Sequence, residues 1–187
     1  MFTMTLPAPV QEAIETLQQY GHAAYVVGGC VRDSLRGVVP HDYDITTSAR
    51  PEEVAAAFCG RTLIETGRKH GTQTLHSGGM DLDITTFRTY GVYEYHRHPA
   101  AVTFARTLEE DLARRDFTIN AMAYHPQCGL VDLFGGEADL AAGVIRCVGA
   151  PAQRFDEDAL RMLRALRFAA VLGFEIEADT AGALLAQ

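Results

Sequence analysis

Ala23-Ala24-Tyr25-Val26-Val27-Gly28-Gly29-Cys30-Val31-Arg32-Asp33 and, a few residues on, Asp42-Tyr43-Asp44-Ile45-Thr46 decide the fold of this chain. Residues 23–27 are a short apolar run and read as a strand. The run meets paired glycines and then a helix over residues 31–36. Paired glycines let the backbone approach an anion closely, and a helix N-terminus offers it free N–H groups. Arg32, in the first turn, has the reach to touch a phosphate. The same dipeptide is also an ordinary tight turn, and neither Gly-Lys-Ser/Thr nor GxGxxG accompanies it. Residues 42–46 alternate polar and apolar like a strand, where positions i and i+2 point to one side. Asp42 and Asp44 therefore converge. Two unpaired carboxylates repel, and one stays protonated. A divalent cation removes that conflict, and Mg²⁺ favours carboxylates together with substrate phosphates. Two such ions can align an attacking hydroxyl and stabilise departing pyrophosphate. An isolated pair of this kind is commonly a solvated strand end; its position shortly after a Gly-Gly loop makes it specific.

Working outward, residues 9–20 read as an amphipathic helix with Val10, Ile14 and Leu17 on one face. Pro51 opens a helix over 52–59. Residues 62–65, 72–76 and 81–85 read as strands separated by glycine turns. Residues 87–104 are irregular, rich in Tyr and His, and read as a mobile loop. A short charged helix at 108–114 precedes strands at 121–124, 130–133 and 144–148. Pro151 marks a change of character. Residues 156–172 read as one strong helix, and Asp179 caps another that is still running at Gln187. Mixed strands and helices followed by helices alone give an α+β domain joined to a helical one. The absence of a closing cap suggests the front part of a longer protein.

The chain has 187 residues, a formal net charge of −8 and a hydrophobic fraction of 48%. That length is one domain, or one and the start of another. No run reaches the ~18 apolar residues of a membrane span. The N-terminus has neither a basic start nor an apolar signal core, so a cytoplasmic location is expected. Cys30, Cys59, Cys128 and Cys147 are scattered with no CxxC pair, which fits reduced thiols rather than a zinc site. Of 16 basic residues only Lys69 is a lysine. Arginine suits bidentate phosphate recognition, though base composition also explains the bias. Because acids outnumber bases, nucleic-acid affinity in this chain must be local.

Two further constellations carry chemistry. Arg114-Arg115-Asp116-Phe117-Thr118-Ile119-Asn120 offers cations for a triphosphate and an acid for a ribose hydroxyl, or else a surface ion-pair cluster. On the helix expected from Asp156, Glu157, Asp158 and Arg161 fall within one turn, followed by Arg164 and Arg167. Asp158 and Arg161 would share a face as i, i+3 neighbours, an ordinary helix salt bridge or a base-reading pair. Arginine only donates and carboxylate only accepts. Arg161 can therefore face cytosine N3/O2 or adenine N1 while Asp158 accepts from the exocyclic amine. Uracil and guanine present an N–H where arginine needs an acceptor, so the pair selects C and A.

The ordered motifs GGCVRD (28–33), DYD (42–44), RRDFTINA (114–121) and EDALR (157–161) resemble those of class II tRNA nucleotidyltransferases, the CCA-adding enzymes, and the related bacterial poly(A) polymerases. The resemblance covers residues 23–172. It implies a polymerase-β-like head, a mixed sheet with flanking helices, over residues 1–149. It implies the start of an all-helical neck over 150–187, with body and tail outside this chain. The reaction implied is addition of C and A to the tRNA 3′ end from CTP and ATP, with release of pyrophosphate. Asp42 and Asp44 would carry the catalytic Mg²⁺ ions. Gly28, Gly29 and Arg32 would contact the triphosphate, and Asp116 the ribose, with Arg115 and Asn120 nearby. Glu157, Asp158 and Arg161 would form the base-reading template, Glu157 orienting the other two, and Arg164 would also bind the nucleotide. Asp83 stands where the family often has an acid. Residues 90–103 resemble the family's flexible loop, with His98-Pro99 where Arg-Pro is frequent. Thr66-Gly67-Arg68-Lys69-His70-Gly71-Thr72 resembles the CCA-adding type; A-only addition and poly(A) synthesis are the alternatives.

Two rivals come from other classes. His41-Asp42 prompts a metal phosphohydrolase, which needs further His and Asp ligands on helices. A non-catalytic nucleotide-binding module has no need of both Asp42 and Asp44.

Overall fold

The computed structural model describes residues 2–90, 93–94, 98–99 and 102–186. Helix α1 (Ala8–Gln19) turns Val10, Ala13, Ile14 and Leu17 inward at helical spacing, and a proline in its first turn forfeits no hydrogen bond. Then follow β1 (Ala24–Val27), α2 (Gly29–Leu35), β2 (Tyr43–Thr47), α3 (Pro51–Ala57), β3 (Thr62–Ile64), a 3₁₀ turn (Arg68–His70), β4 (Thr72–Ser77) and β5 (Met80–Thr86). The irregular stretch holds β6 (Arg88–Tyr90), β7 (Tyr93–Glu94), β8 (His98–Pro99) and β9 (Val102–Phe104). After α4 (Leu108–Ala113) come β10 (Met122–His125), β11 (Gly129–Asp132), α5 (Gly136–Ala142) and β12 (Val144–Ile145). The chain continues through α6 (Pro151–Glu157), α7 (Leu160–Leu172), β13 (Glu175–Ile176) and α8 (Ala178–Ala186).

Seven strands form one sheet in the order β11-β10-β1-β2-β5-β4-β3. Only β2 and β5 run parallel; their neighbours pair antiparallel. This is the expected mixed sheet with flanking helices. Residues directly opposite across a ladder share a face. The registers therefore align one row, Val131-Ala123-Val27-Asp44-Asp83-Thr74, from β11 to β4. Its apolar half packs against Leu112 of α4. The acidic half is open to solvent. The opposite face carries the main core, where Ile14, Leu17, Ile45, Leu75, Leu82 and Ile84 are buried.

Four expectations are corrected. The helix expected over 156–172 is two helices. Asp158 breaks it with an extended backbone (φ −152°, ψ 103°). The Asp158 carboxylate accepts the Leu160 N–H at 3.0 Å, the local bonding by which Asp competes with a helix interior. Asp158 and Arg161 are therefore not neighbours on one helical face. In α8 the capping residue is Glu177 rather than Asp179, since Glu177 accepts the backbone N–H groups of Asp179 and Thr180. Within the stretch 87–104 the described residues are not irregular throughout: β6 pairs with β9 and β7 with β8. Residues 91–92, 95–97 and 100–101, where much of the flexible-loop reading falls, lie outside the described residues. The strand expected at 144–148 reduces to Val144–Ile145, which pairs parallel with β13.

Residues after Pro151 add to the same core rather than building a second one. Phe155, Ala165 and Phe168 join the cluster that contains the sheet's inner face. Phe155 is fully buried. Phe155→Ala should therefore cost about 3–5 kcal/mol and shift a single cooperative denaturation transition. A main transition left in place by this substitution would show that α6 stabilises only itself.

Candidate active site

Two carboxylates lie side by side on the open half of the row, and a third stands just ahead of it. Asp44 on β2 lies directly beside Asp83 on β5, across a parallel ladder whose strands are spaced about 4.8 Å. Asp42 stands one residue ahead of β2; Tyr43 between them points into the core. Both Asp42 and Asp44 are exposed, as the alternation required. Thr74 Oγ1 donates to Asp83 Oδ1 at 2.6 Å. The Asp44 tip faces solvent, yet the surrounding protein displaces water enough to push its pKa up. Arg115 opposes the shift, and the negative charges of Asp83 and Asp42 reinforce it. This is the charge conflict that a divalent cation relieves. Among the described residues, no group of three or more His, Cys, Asp or Glu side chains is placed to hold a metal ion by itself. A cation here would complete its shell with oxygens of a ligand, which is the habit of Mg²⁺.

The glycine turn adjoins these acids. Gly28 precedes α2 with φ 80° and ψ −127°, a conformation open to glycine and strained for any other residue. A Cβ there would lie 3.2 Å from Arg115 Nη1. Arg115 is thus packed against the turn. Its Nε has no hydrogen-bond partner among the described residues, and its one ion pair, to Asp111, is long at 3.4 Å. A guanidinium so placed keeps donors in hand. Arg32 is less free: it bonds Asp33 through two nitrogens and donates to Asn120 Oδ1 at 2.7 Å.

Asp116 is the junction of the site. It is 8% exposed. Its Oδ1 accepts from the Phe117 N–H at 2.8 Å and from Asn120 Nδ2 at 3.4 Å. Its Oδ2 accepts from Arg164 Nε at 2.7 Å. A continuous chain of polar contacts, Arg32-Asn120-Asp116-Arg164, therefore joins α2 to α7. The guanidiniums of Arg32, Arg164 and Arg167 all lie over the Phe168 ring, at 5.4, 5.2 and 4.5 Å.

Arg161 lies on the same side. It is 6% exposed. Nη1 donates to Glu157 Oε2 at 2.7 Å and to the Arg154 carbonyl. Nη2 donates to the Arg114 carbonyl at 3.1 Å. Glu157 thus fixes the orientation of Arg161, and Arg161 is tied to the residue before Arg115. Asp158 makes no side-chain contact with Arg161 among the described residues. Its second oxygen accepts no hydrogen bond among them.

Sequence reasoning missed Asp111 and Thr46. Asp111 is fully buried and pairs with Arg114 and Arg115 at i+3 and i+4. Burial would raise its pKa, but the two arginines, with hydrogen bonds from Arg114 and the Arg88 N–H, hold it below the usual carboxylate value. The spacing of Asp111 to the two arginines was the available signal.

A central mixed sheet bearing paired carboxylates beside a glycine turn, followed by helices, is the architecture of a nucleotidyltransferase head. A family model described as the poly(A) polymerase head domain matches residues 24–146. The chain belongs to that family. The CCA-adding enzyme of Lactiplantibacillus plantarum is 49% identical over 187 residues, covering 98% of this chain and 46% of that protein. The CCA-adding enzyme of Leuconostoc mesenteroides subsp. mesenteroides is 51% identical over 175 residues, covering 94% of this chain and 43% of its own. The crystal structure of Bacillus stearothermophilus CCA-adding enzyme in complex with CTP superposes with a TM-score of 0.86 at 45% identity, over 95% of this chain and 43% of that one. A tRNA nucleotidyltransferase complexed with a primer tRNA and an incoming ATP analog superposes with a TM-score of 0.74 at 36% identity, over 92% and 48%. The chain spans less than half the length of these relatives.

Two outcomes follow from the geometry. A carboxyl with a raised folded pKa penalises the fold wherever it is ionised. Without metal, Asp44→Asn should therefore melt higher than the wild type at neutral pH. The gap should close as pH falls from the raised pKa to the ordinary carboxylate value, below which Asp44 is protonated in both states. A wild type that melts at or above the variant throughout would show that the acids do not conflict. Gly28→Ala should cost about 1–3 kcal/mol in backbone strain, read by chemical denaturation, and displace Arg115.

Proposed function

We propose that this chain is the nucleotidyl-transfer portion of a tRNA nucleotidyltransferase that adds C and A to the tRNA 3′ end from CTP and ATP. Residues 1–149 are the head on this reading, and 150–187 begin the helical neck. The observation that carries it is the bond from Arg161 to the Arg114 carbonyl. That bond ties Arg161 to the stretch carrying Arg115 and Asp116, and Arg115 lies against Gly28 and acts on Asp44. The relatives named CCA-adding enzymes, among them one solved with CTP, support the same substrates.

In the reaction, the tRNA 3′-hydroxyl oxygen bonds to the α-phosphorus of CTP or ATP and gives up its proton to solvent, the bond from that phosphorus to the oxygen bridging to the β-phosphate breaks, and pyrophosphate leaves with that oxygen. Gly28 and Gly29 bring bare backbone to the triphosphate, with Arg115 behind the turn and Arg32 at the same helix end. Asp116, held by Asn120, orients the ribose. Its oxygens already have protein donors, and Arg164, 45% exposed at its side chain, is the donor most readily exchanged for a hydroxyl. Arg161, oriented by Glu157, and the free oxygen of Asp158 present donor and acceptor to the base edge. This pattern fits C and A and opposes U and G. Asp42 and Asp44, with Asp83 beside them, would hold Mg²⁺. When bound, Mg²⁺ supplies charge stabilisation of the attacking and departing oxygens. Among the described residues no helix is long and apolar enough to cross a membrane, and tRNA processing fits a cytoplasmic location.

Equilibrium titration with the four ribonucleoside triphosphates in Mg²⁺ tests the reading. CTP and ATP should bind at least tenfold tighter than UTP and GTP. Arg161→Ala should erase that preference while leaving Mg²⁺ binding in place. Mg²⁺ should raise the melting temperature of the wild type and not that of Asp42→Ala. ATP binding alone would favour A-only or poly(A) addition. Equal binding of all four nucleotides would refute the protein template.

A further inference from the structure

Asp111 is a buried charge with more partners than its helix needs. Oδ1 accepts from Arg114 Nε at 3.0 Å, from Arg114 Nη2 at 2.7 Å and from the Arg88 N–H at 3.2 Å. Oδ2 accepts from Thr46 Oγ1 at 3.0 Å and from Arg115 Nη2 at 3.4 Å. An apolar residue would fill the same space beneath α4 without the desolvation that a buried carboxylate entails. The partners explain the acid. Thr46 lies two residues beyond Asp44 on β2 and on the same side. Arg88 is the first residue of the ribbon strand β6. Arg115 is the guanidinium packed against Gly28. One carboxylate thereby fastens together the strand of the paired acids, the base of the ribbon and the arginine behind the glycine turn.

Arg115 is held mainly by charge. Its one hydrogen bond to Asp111 is long, and Nε has no protein partner among the described residues. Besides Asp111, the acids that attract this guanidinium are Asp116 and Asp44, and without the Asp111 charge they would draw it away from the Gly28 turn. We propose that Asp111 is a positioning residue that holds Arg115 against the Gly28 turn, so that its spare donors meet the phosphate tail of a nucleoside triphosphate. The proposal rests on the nucleotidyl-transfer reading above. It separates two parts of the ligand, since base and ribose contacts do not involve Asp111.

The test is equilibrium binding of CTP and of CMP, each in Mg²⁺, to the 187-residue chain. The wild type should bind CTP at least tenfold tighter than CMP. Asp111→Asn, which keeps the shape and removes the charge, should weaken CTP tenfold or more and leave CMP within twofold. Arg115→Gln should show the same selective loss, and adding Asp111→Asn to it should bring no further loss, because the two residues act as one unit. Equal losses for CTP and CMP would mark Asp111 as merely structural and overturn the proposal. So would an unchanged CTP affinity, or a further loss in the double variant. Should Asp111→Asn fail to fold, Thr46→Val decides, since it removes a single bond at the oxygen that Arg115 shares. It should weaken CTP two- to threefold and spare CMP; no change, or equal loss for both, overturns the proposal. A wild type that binds CTP no better than CMP refutes the nucleotide reading itself, and this is seen before any substitution is made.

Discussion

A buried carboxylate stays charged only where a cation or several donors replace the water it has lost. Three such acids lie between Asp111 and Asp139, and arginines answer each. Asp111 holds Arg114 and Arg115. Asp116 holds Arg164. Asp139 holds Arg146 and also accepts from Thr118. Hydrogen bonds from Thr46 and the Arg88 N–H also tie Asp111 of α4 to β2 and the ribbon base, the Asp116 pair joins the segment after α4 to α7, and the Asp139 pair joins α5 to the segment leading to α6. The segment 111–120 is therefore where helices, sheet and pocket are registered against one another. Removing the arginine of any one pair leaves a buried carboxylate without its cation, which costs more than forming the pair gained. Arginine suits this work, because its guanidinium stays charged and forks across two acceptors.

The same pairs leave a division of labour in the pocket. The acidic side, built by β2 and β5, is open and in conflict with itself. The basic side is largely satisfied by protein, with Arg32 tied to Asp33 and Asn120, and Arg161 tied to Glu157 and two carbonyls. Arg115 is the exception. A ligand carrying metal-bound phosphates would be needed by the acids, whereas the arginines are already in place for it. Such preorganisation reduces the ordering required at binding.

Much of this was legible in the residues. The alternation at residues 42–46 put Asp42 and Asp44 on one side with Tyr43 inward, and the structure has that arrangement. Gly-Gly before a helix became a turn that only glycine fits at Gly28. The mixed order of strands and helices read as α+β. What failed did so for local reasons. Leu160, Leu163 and Leu166 at helical spacing drew the expected helix back across Asp158 to Asp156, and the pattern outweighed the Asp158 side chain's own preference for bonding backbone. Asp111 looked like one more acid on a charged helix, since burial is set by which strand a helix covers and not by composition. The pairing of Asp44 with Asp83 is a register between segments nearly forty residues apart, and no local pattern encodes it. The strands β6 to β9 were hidden because each spans only two or three residues.

The row that runs from Val131 to Thr74 also bears on how the chain avoids misfolding. Side chains alternate between faces, so sliding β2 or β5 by one residue would exchange everything on its two sides. Ile45, Leu82 and Ile84 would then face water. Asp44 and Asp83 would be driven into the apolar interior, with no arginine waiting for them there. Slipped pairings of these two strands are thus penalised twice, once for lost apolar burial and once for stranded charge. In a strand pair buried on one face, that face alone already specifies the register. Here the outer face is marked by acids. The carboxylates act as an alignment key during assembly, independently of anything the finished pocket binds.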